Sequence, residues 1–188
     1  MEVGHSAALP PGWRVLLGRD EIARRVHELG AEISASSGPE PLLVVGILKG
    51  AFVFAADLVR AIRVPVQIDF MAVSSYGAAT KTSGVVRIIK DLDQSLEGRD
   101  VLVVEDIVDT GLTLQYLQRT LTGRGLRRLR TAVLLDKPSR RVVDVPVDFV
   151  GFQIPDRYVV GYGLDADESH REHPDVLCPE GSDEAADA

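Results

Sequence analysis

Residues 101–114 read VLVVEDIVDTGLTL, and the fold follows from how that stretch divides. Its first four residues are apolar, as a strand buried on both faces requires. Carboxylates follow at Glu105, Asp106 and Asp109. The turn Thr110, Gly111, Leu112 and Thr113 then opens onto TLQYLQRTLTGRG, whose spacing is helical and whose glycines stop it. A buried strand, a tight turn and a helix in that order belong to a βαβ unit.

The same alternation continues on both sides. PLLVVGILKG at 41–50 is another continuous apolar run, AFVFAADLVRAI at 51–62 has helical spacing, and VPVQIDFMAVSSY at 64–76 is β-rich. LRTAVLLDK at 129–137 is a third apolar strand, and VDFVGFQIP and YVVGYGLD complete the pattern. Upstream, Ile22, Val26, Leu29 and Ile33 mark an amphipathic helix with Asp20 as its expected cap. The expected fold is α/β, a central mostly parallel twisted sheet flanked by helices, with right-handed crossovers. The N-terminal helix and the last third of the chain are expected to supply a small hood or flap. A single domain over 13–178 is predicted, with flexible termini at 1–12 and 179–188. GAATKTSGVV, small, polar and glycine-flanked, reads as a mobile loop.

Composition narrows the function. With 188 residues and 45% hydrophobic content, the chain is long enough for one well-packed core and rather short for two. A net charge of -7 argues against a general nucleic-acid binder. One cysteine, Cys178, excludes an intramolecular disulfide and a multi-cysteine zinc site. No apolar run reaches the roughly 18–20 residues of a membrane helix, and MEVGHSAALPPGW lacks the pattern of a secretion signal. A cytoplasmic location is expected.

In a parallel α/β sheet, ligands bind beyond the carboxyl ends of the strands. Glu105 and Asp106 fall at such an end. The turn after them precedes a helix, so its amides and the helix dipole can receive an anion, aided by the Thr110 and Thr113 hydroxyls. Neither G-x-x-x-x-G-K-[ST] nor G-x-G-x-x-G occurs, which disfavours a conventional ATPase or NAD enzyme. A lone phosphate would be repelled by the neighbouring carboxylates. A phosphorylated sugar satisfies both, its phosphate in the turn and its hydroxyls, or a magnesium ion, on the carboxylates. An ordinary solvated acidic loop remains the alternative on spacing alone.

VVEDIVDTGLTL resembles the signature of type I phosphoribosyltransferases, which bind phosphoribosyl pyrophosphate. GILKGAFVFAADL, DFMAVSSYG and the pair DKPSRR and DFVGFQIPDRYVVGYGLD extend the likeness in order over roughly residues 15–177. Together they resemble the bacterial hypoxanthine-guanine branch of that family. The resemblance implies transfer of phosphoribose to a 6-oxopurine with Mg2+, and a homodimer or homotetramer, with which VVDVPVDFVG as an exposed strand segment is compatible. It implies no nucleic-acid or membrane partner.

Residue roles follow from the same likeness. Glu105 and Asp106 would hold the ribose hydroxyls and, with Asp165, magnesium. Asp109 would be the general base at the purine N7. The loop Asp109, Thr110, Gly111, Leu112 and Thr113, entered through Ile107 and Val108, would cradle the 5′-phosphate. Lys49 and Gly50, after a cis Leu48–Lys49 peptide, and Arg171 would address pyrophosphate. Lys137 would donate to the purine O6, Tyr158 would stack on the base, and the backbone at Val159 and Asp165 would meet its 2-position. Ser75 and Tyr76 would begin a loop that closes over the site. His170 and His173 receive no role.

Leu112 departs from the family pattern, where many relatives carry Lys or Arg, and weaker affinity for phosphoribosyl pyrophosphate is expected. Rival readings are a relative preferring xanthine, orotate, adenine or uracil, a nucleotide- and RNA-binding regulator on the same fold, and a plain sugar-phosphate module.

Overall fold

A computed structural model describes residues 9–76 and 85–181. Its main sheet has six strands in the order β4-β3-β2-β5-β6-β7. They are β2 (Leu42–Leu48), β3 (Val66–Tyr76), β4 (Val85–Lys90), β5 (Asp100–Val108), β6 (Arg128–Asp136) and β7 (Phe149–Gln153). All neighbours run parallel except β3 and β4. The apolar runs at 42–47 and 101–104 take the two central places, where both faces are covered.

Helix α1 (Arg19–Ala35) and α2 (Phe52–Ala61) cover one face, and α3 (Leu112–Thr122) packs on the other. The α1 residues Ile22, Val26, Leu29 and Ile33 join a core that includes Leu42, Val44 and Leu102. Leu114, Leu117 and Leu121 of α3 pack with Val101, Val103 and Val133. Truncating Leu102 or Leu117, each 0% exposed, to alanine removes packing worth about 2–5 kcal/mol.

Two details of α1 differ from expectation. Asp20 lies inside the first turn and Gly18 occupies the cap position without a side-chain bond. The carboxylate of Asp175 serves instead, accepting from the Arg19 backbone N–H at 2.8 Å and from its guanidinium at 3.1 Å. At the other end, the buried Arg130 donates to the hydroxyls of Ser36 and Ser37. Those hydroxyls in turn donate to the last carbonyls of the helix, so a cation faces the negative end of the dipole.

The flap is built differently from the expected helix-plus-tail. Strand β1 (Trp13–Leu17) pairs antiparallel with β8 (Val176–Pro179) in a separate two-stranded sheet, while α1 stays in the main core. The segment YVVGYGLD, expected to be a strand, makes isolated bridges, among them Val160 to Leu177. Tyr162 there has φ 50 between two positive-φ glycines, which breaks any extended run. Of the loop read at GAATKTSGVV, residues 77–84 lie outside the described residues, while Val85 and Val86 begin β4 instead. Ser75 and Tyr76 stand at the end of β3.

Candidate active site

The carboxyl ends of β2, β5 and β6 meet on one edge of the sheet, and the expected residues gather there. Glu105 and Asp106 are the last acidic positions of β5 before Asp109, and Glu105 is buried. The Asp106 backbone N–H donates to Glu105 Oε2 at 3.2 Å, and the Ile107 N–H donates to Asp106 Oδ1 at 2.7 Å. Burial, then the charge of Asp106, pushes the Glu105 carboxyl well above its usual range. Burial raises Asp106 as well, against hydrogen bonds and the nearby Arg171 charge that pull it down. Two adjacent carboxyls that resist ionising together form a site that gains by receiving a cation.

Beyond them the chain turns through Thr110 and Gly111 into α3. Gly111 has φ 85, the left-handed region open to glycine. No acidic residue stands in the first turn of α3, and the first amides of a helix lack intrahelical partners. Gln115 N–H reaches back to Gly111 O at 2.9 Å, closing the first turn. A cavity of about 90 Å³ lies here, lined by Glu105 and by residues 107–111, 113 and 114. Leu112 does not line it and is 38% exposed. The arrangement can receive a small anion, with Ile107 and Val108 leading into the turn.

The β2 end lies directly opposite. The Leu48–Lys49 peptide is cis, as expected. A Cβ on Gly50 would run into the Asp106 carboxylate, so only glycine lets this loop approach β5 so closely. Lys49 Nζ lies 2.9 Å from Glu168 Oε2. Arg171 donates to Gly163 O at 2.8 Å and pairs with Asp165 at 2.9 Å and Glu168 at 3.3 Å.

On the β6 side, Lys137 is buried to 7% exposure and its backbone N–H bonds Val108 O at 2.9 Å. Its Nζ is 3.6 Å from Asp156, which also lies 3.5 Å from Arg140. Arg140 donates to Asp109 at 3.0 Å, and this bond raises its own pKa. Tyr158 is 56% exposed, with its ring centroid 6.2 Å from that of Trp13 and its hydroxyl donating to Asp165 O at 3.4 Å. Val159 is buried behind it.

Arg140, Asp156 and Glu168 are the functional candidates that sequence reasoning missed. Arg140 and Asp156 lie inside segments quoted for the resemblance, where charge within a site-bearing motif was the available signal, whereas Glu168 lies three residues beyond the last of them. Asp165 is turned to Arg171 and does not complete a cluster with the acidic pair. Among the described residues, no three His, Cys, Asp or Glu side chains gather as a metal site. A pair of carboxylates nonetheless suits magnesium, which takes one or two from a protein and fills its shell with water and phosphate.

The chain matches the phosphoribosyl transferase domain family over residues 13–167. It is 52% identical to the hypoxanthine-guanine phosphoribosyltransferase of Mycobacterium tuberculosis over 178 residues, covering 90% of this chain and 88% of that one. A crystal structure of a Staphylococcus aureus hypoxanthine phosphoribosyltransferase is 44% identical, with TM-score 0.85 over 89% of this chain and 91% of that chain. A Bacillus anthracis hypoxanthine-guanine phosphoribosyltransferase structure is 43% identical, with TM-score 0.84 over 88% and 97% of the two chains.

Proposed function

The chain belongs to the phosphoribosyltransferase family, and from that premise we propose that it transfers phosphoribose from phosphoribosyl pyrophosphate to hypoxanthine or guanine in purine salvage. The products are inosine or guanosine monophosphate and pyrophosphate. The observation that carries this reading is the adjacent pair of Glu105, buried, and Asp106, half-buried, at the end of β5, followed at once by a turn at 109–113 that can receive an anion.

The reacting bond is the one between the anomeric carbon and the pyrophosphate oxygen. As it lengthens, positive charge builds on the ribose, and the anionic face of Glu105 and Asp106 favours that charge. A purine ring nitrogen forms the new bond to the anomeric carbon, and Asp109 takes the N7 proton. The amides of 110–113 hold the 5′-phosphate still, which keeps the sugar aligned between leaving group and base. Lys49, Gly50 and Arg171 receive the departing pyrophosphate. Glu105 and Asp106 would hold magnesium, which offsets charge on that pyrophosphate. Lys137 donates to the purine O6 and disfavours a 6-amino group, and the exposed Tyr158 ring offers a face for the base.

We further propose a homodimer or homotetramer, the assembly that the family likeness implies. The cytoplasm is the proposed location. The one cysteine, Cys178, is buried and free and needs no oxidising compartment, and among the described residues no helix is long and apolar enough to cross a membrane.

A spectrophotometric assay with phosphoribosyl pyrophosphate, magnesium and each of hypoxanthine, guanine, xanthine and adenine tests the reading. Turnover of hypoxanthine or guanine, with adenine inert, is expected. Turnover of xanthine alone, or of none of the four, contradicts it.

A further inference from the structure

We infer that Glu168 is an internal occupant of the pyrophosphate position, a carboxylate that phosphoribosyl pyrophosphate displaces on binding. The inference rests on the reading of Lys49 and Arg171 as pyrophosphate ligands.

Two cations more than a hundred residues apart in the chain converge on one oxygen. Glu168 Oε2 lies 2.9 Å from Lys49 Nζ and 3.3 Å from Arg171 Nη2. A carboxylate is anionic at neutral pH, so both contacts are charge-paired. A single oxyanion shared by a lysine and an arginine beside Gly50 is the arrangement a terminal phosphate oxygen would adopt.

The geometry also separates displacement from support. Arg171 is already fixed by Gly163 O at 2.8 Å and by Asp165 at 2.9 Å, and its side chain is only 18% exposed. It does not need Glu168 to hold its place. The Lys49 and Glu168 side chains, by contrast, are 66% and 65% exposed, and an exposed ion pair is weak and readily exchanged.

The backbone presents Glu168 at the tip of a tight turn. Ala166 and Ser169 exchange backbone hydrogen bonds at 3.1 and 2.9 Å. Between them Asp167 and Glu168 have φ 48 and 64, consecutive left-handed positions that side chains other than glycine rarely take. The Glu168 N–H is tied to Asp165 Oδ2 at 2.9 Å. The carboxylate therefore projects from a four-residue turn outside both sheets, and its departure disturbs no strand. Pyrophosphate, carrying more charge than one carboxylate, wins both cations when it arrives.

The test is calorimetric titration of inorganic pyrophosphate, with magnesium at fixed ionic strength, into wild type, Glu168→Gln and Glu168→Ala. Removing the internal competitor is expected to tighten binding roughly threefold to tenfold in both variants, the scale of one or two exposed ion pairs. KM for phosphoribosyl pyrophosphate should fall in step while KM for hypoxanthine stays put. Pyrophosphate affinity that is unchanged or weaker in either variant overturns the inference, and a supporting role would give that weaker result. The titration needs no turnover, so its outcome is distinguishable from a failure of wild type to convert hypoxanthine.

Discussion

Arg140 donates from Nε to Asp109 Oδ1 across 3.0 Å, while its Nη1 lies 3.5 Å from Asp156. Asp156 also stands 3.6 Å from Lys137. The proposed proton acceptor and the proposed O6 donor are thus joined through two intervening charges. A purine entering between them meets a preset array whose ion pairs it must exchange for its own contacts.

Catalysis and stability should separate at Asp109. The pair with Arg140 is 42% and 48% exposed, so its loss costs little folding stability. Asp109→Asn keeps an acceptor for Arg140 and removes the base. We expect turnover to fall by about 10²–10⁴, with affinity for the nucleotide product much less affected. Single-turnover rates beside product titrations check this, and equal losses in both would argue against a transition-state role.

Lys137 should govern base choice. It is buried to 7% exposure, and Met can fill its volume without the charge. Lys137→Met is expected to raise KM for hypoxanthine by about 10–100-fold, the worth of one charged hydrogen bond. KM for phosphoribosyl pyrophosphate should barely move. Initial rates against both substrates read the difference, and a parallel rise in both would place Lys137 outside base recognition.

Leu112 offers a gain. Its side chain is 38% exposed at the start of α3 and leaves the cavity lining to its neighbours, so a lysine fits without repacking. Leu112→Lys should lower KM for phosphoribosyl pyrophosphate a few-fold, about 0.5–1 kcal/mol. An unchanged KM would show that the backbone amides suffice.

Asp100 should make stability depend on pH. It bonds Arg127 at 2.8 Å and Arg128 at 2.9 Å, and the Arg127 hydrogen bond above all holds its carboxyl below the ordinary value. A carboxylate depressed in the fold stabilises above its unfolded pKa and loses that contribution as pH falls through the folded one. Wild type should therefore melt above Asp100→Asn at pH 7, and the gap should close below about pH 4. Melting curves across pH check it, and a gap that persists in acid would contradict it.

How much of this was legible depends on the kind of signal each part leaves. Strands β2, β5 and β6 announce themselves because central parallel strands are apolar on both faces, as Val44, Val103 and Leu134 at 0% exposure show. Strand β4 did not. It is an antiparallel edge with Ile89 68% exposed beside Arg87 and Lys90, so it lacks the continuous run and merges with the polar loop before it. The cap of α1 was misplaced because Asp175, 156 residues away, performs it. In the site, Glu105, Asp106 and the 109–113 turn lie together in sequence and could be seen as a unit. Arg140, Asp156 and Glu168 act through long or loop-borne side chains whose partners exist only after the sheet has assembled.

The most direct test of the central claim is a crystal structure of the chain with inosine monophosphate and magnesium. The account expects the 5′-phosphate against the amides of 110–113 and the ribose hydroxyls on Glu105 and Asp106. A phosphate bound elsewhere, with that cradle left vacant, would contradict it.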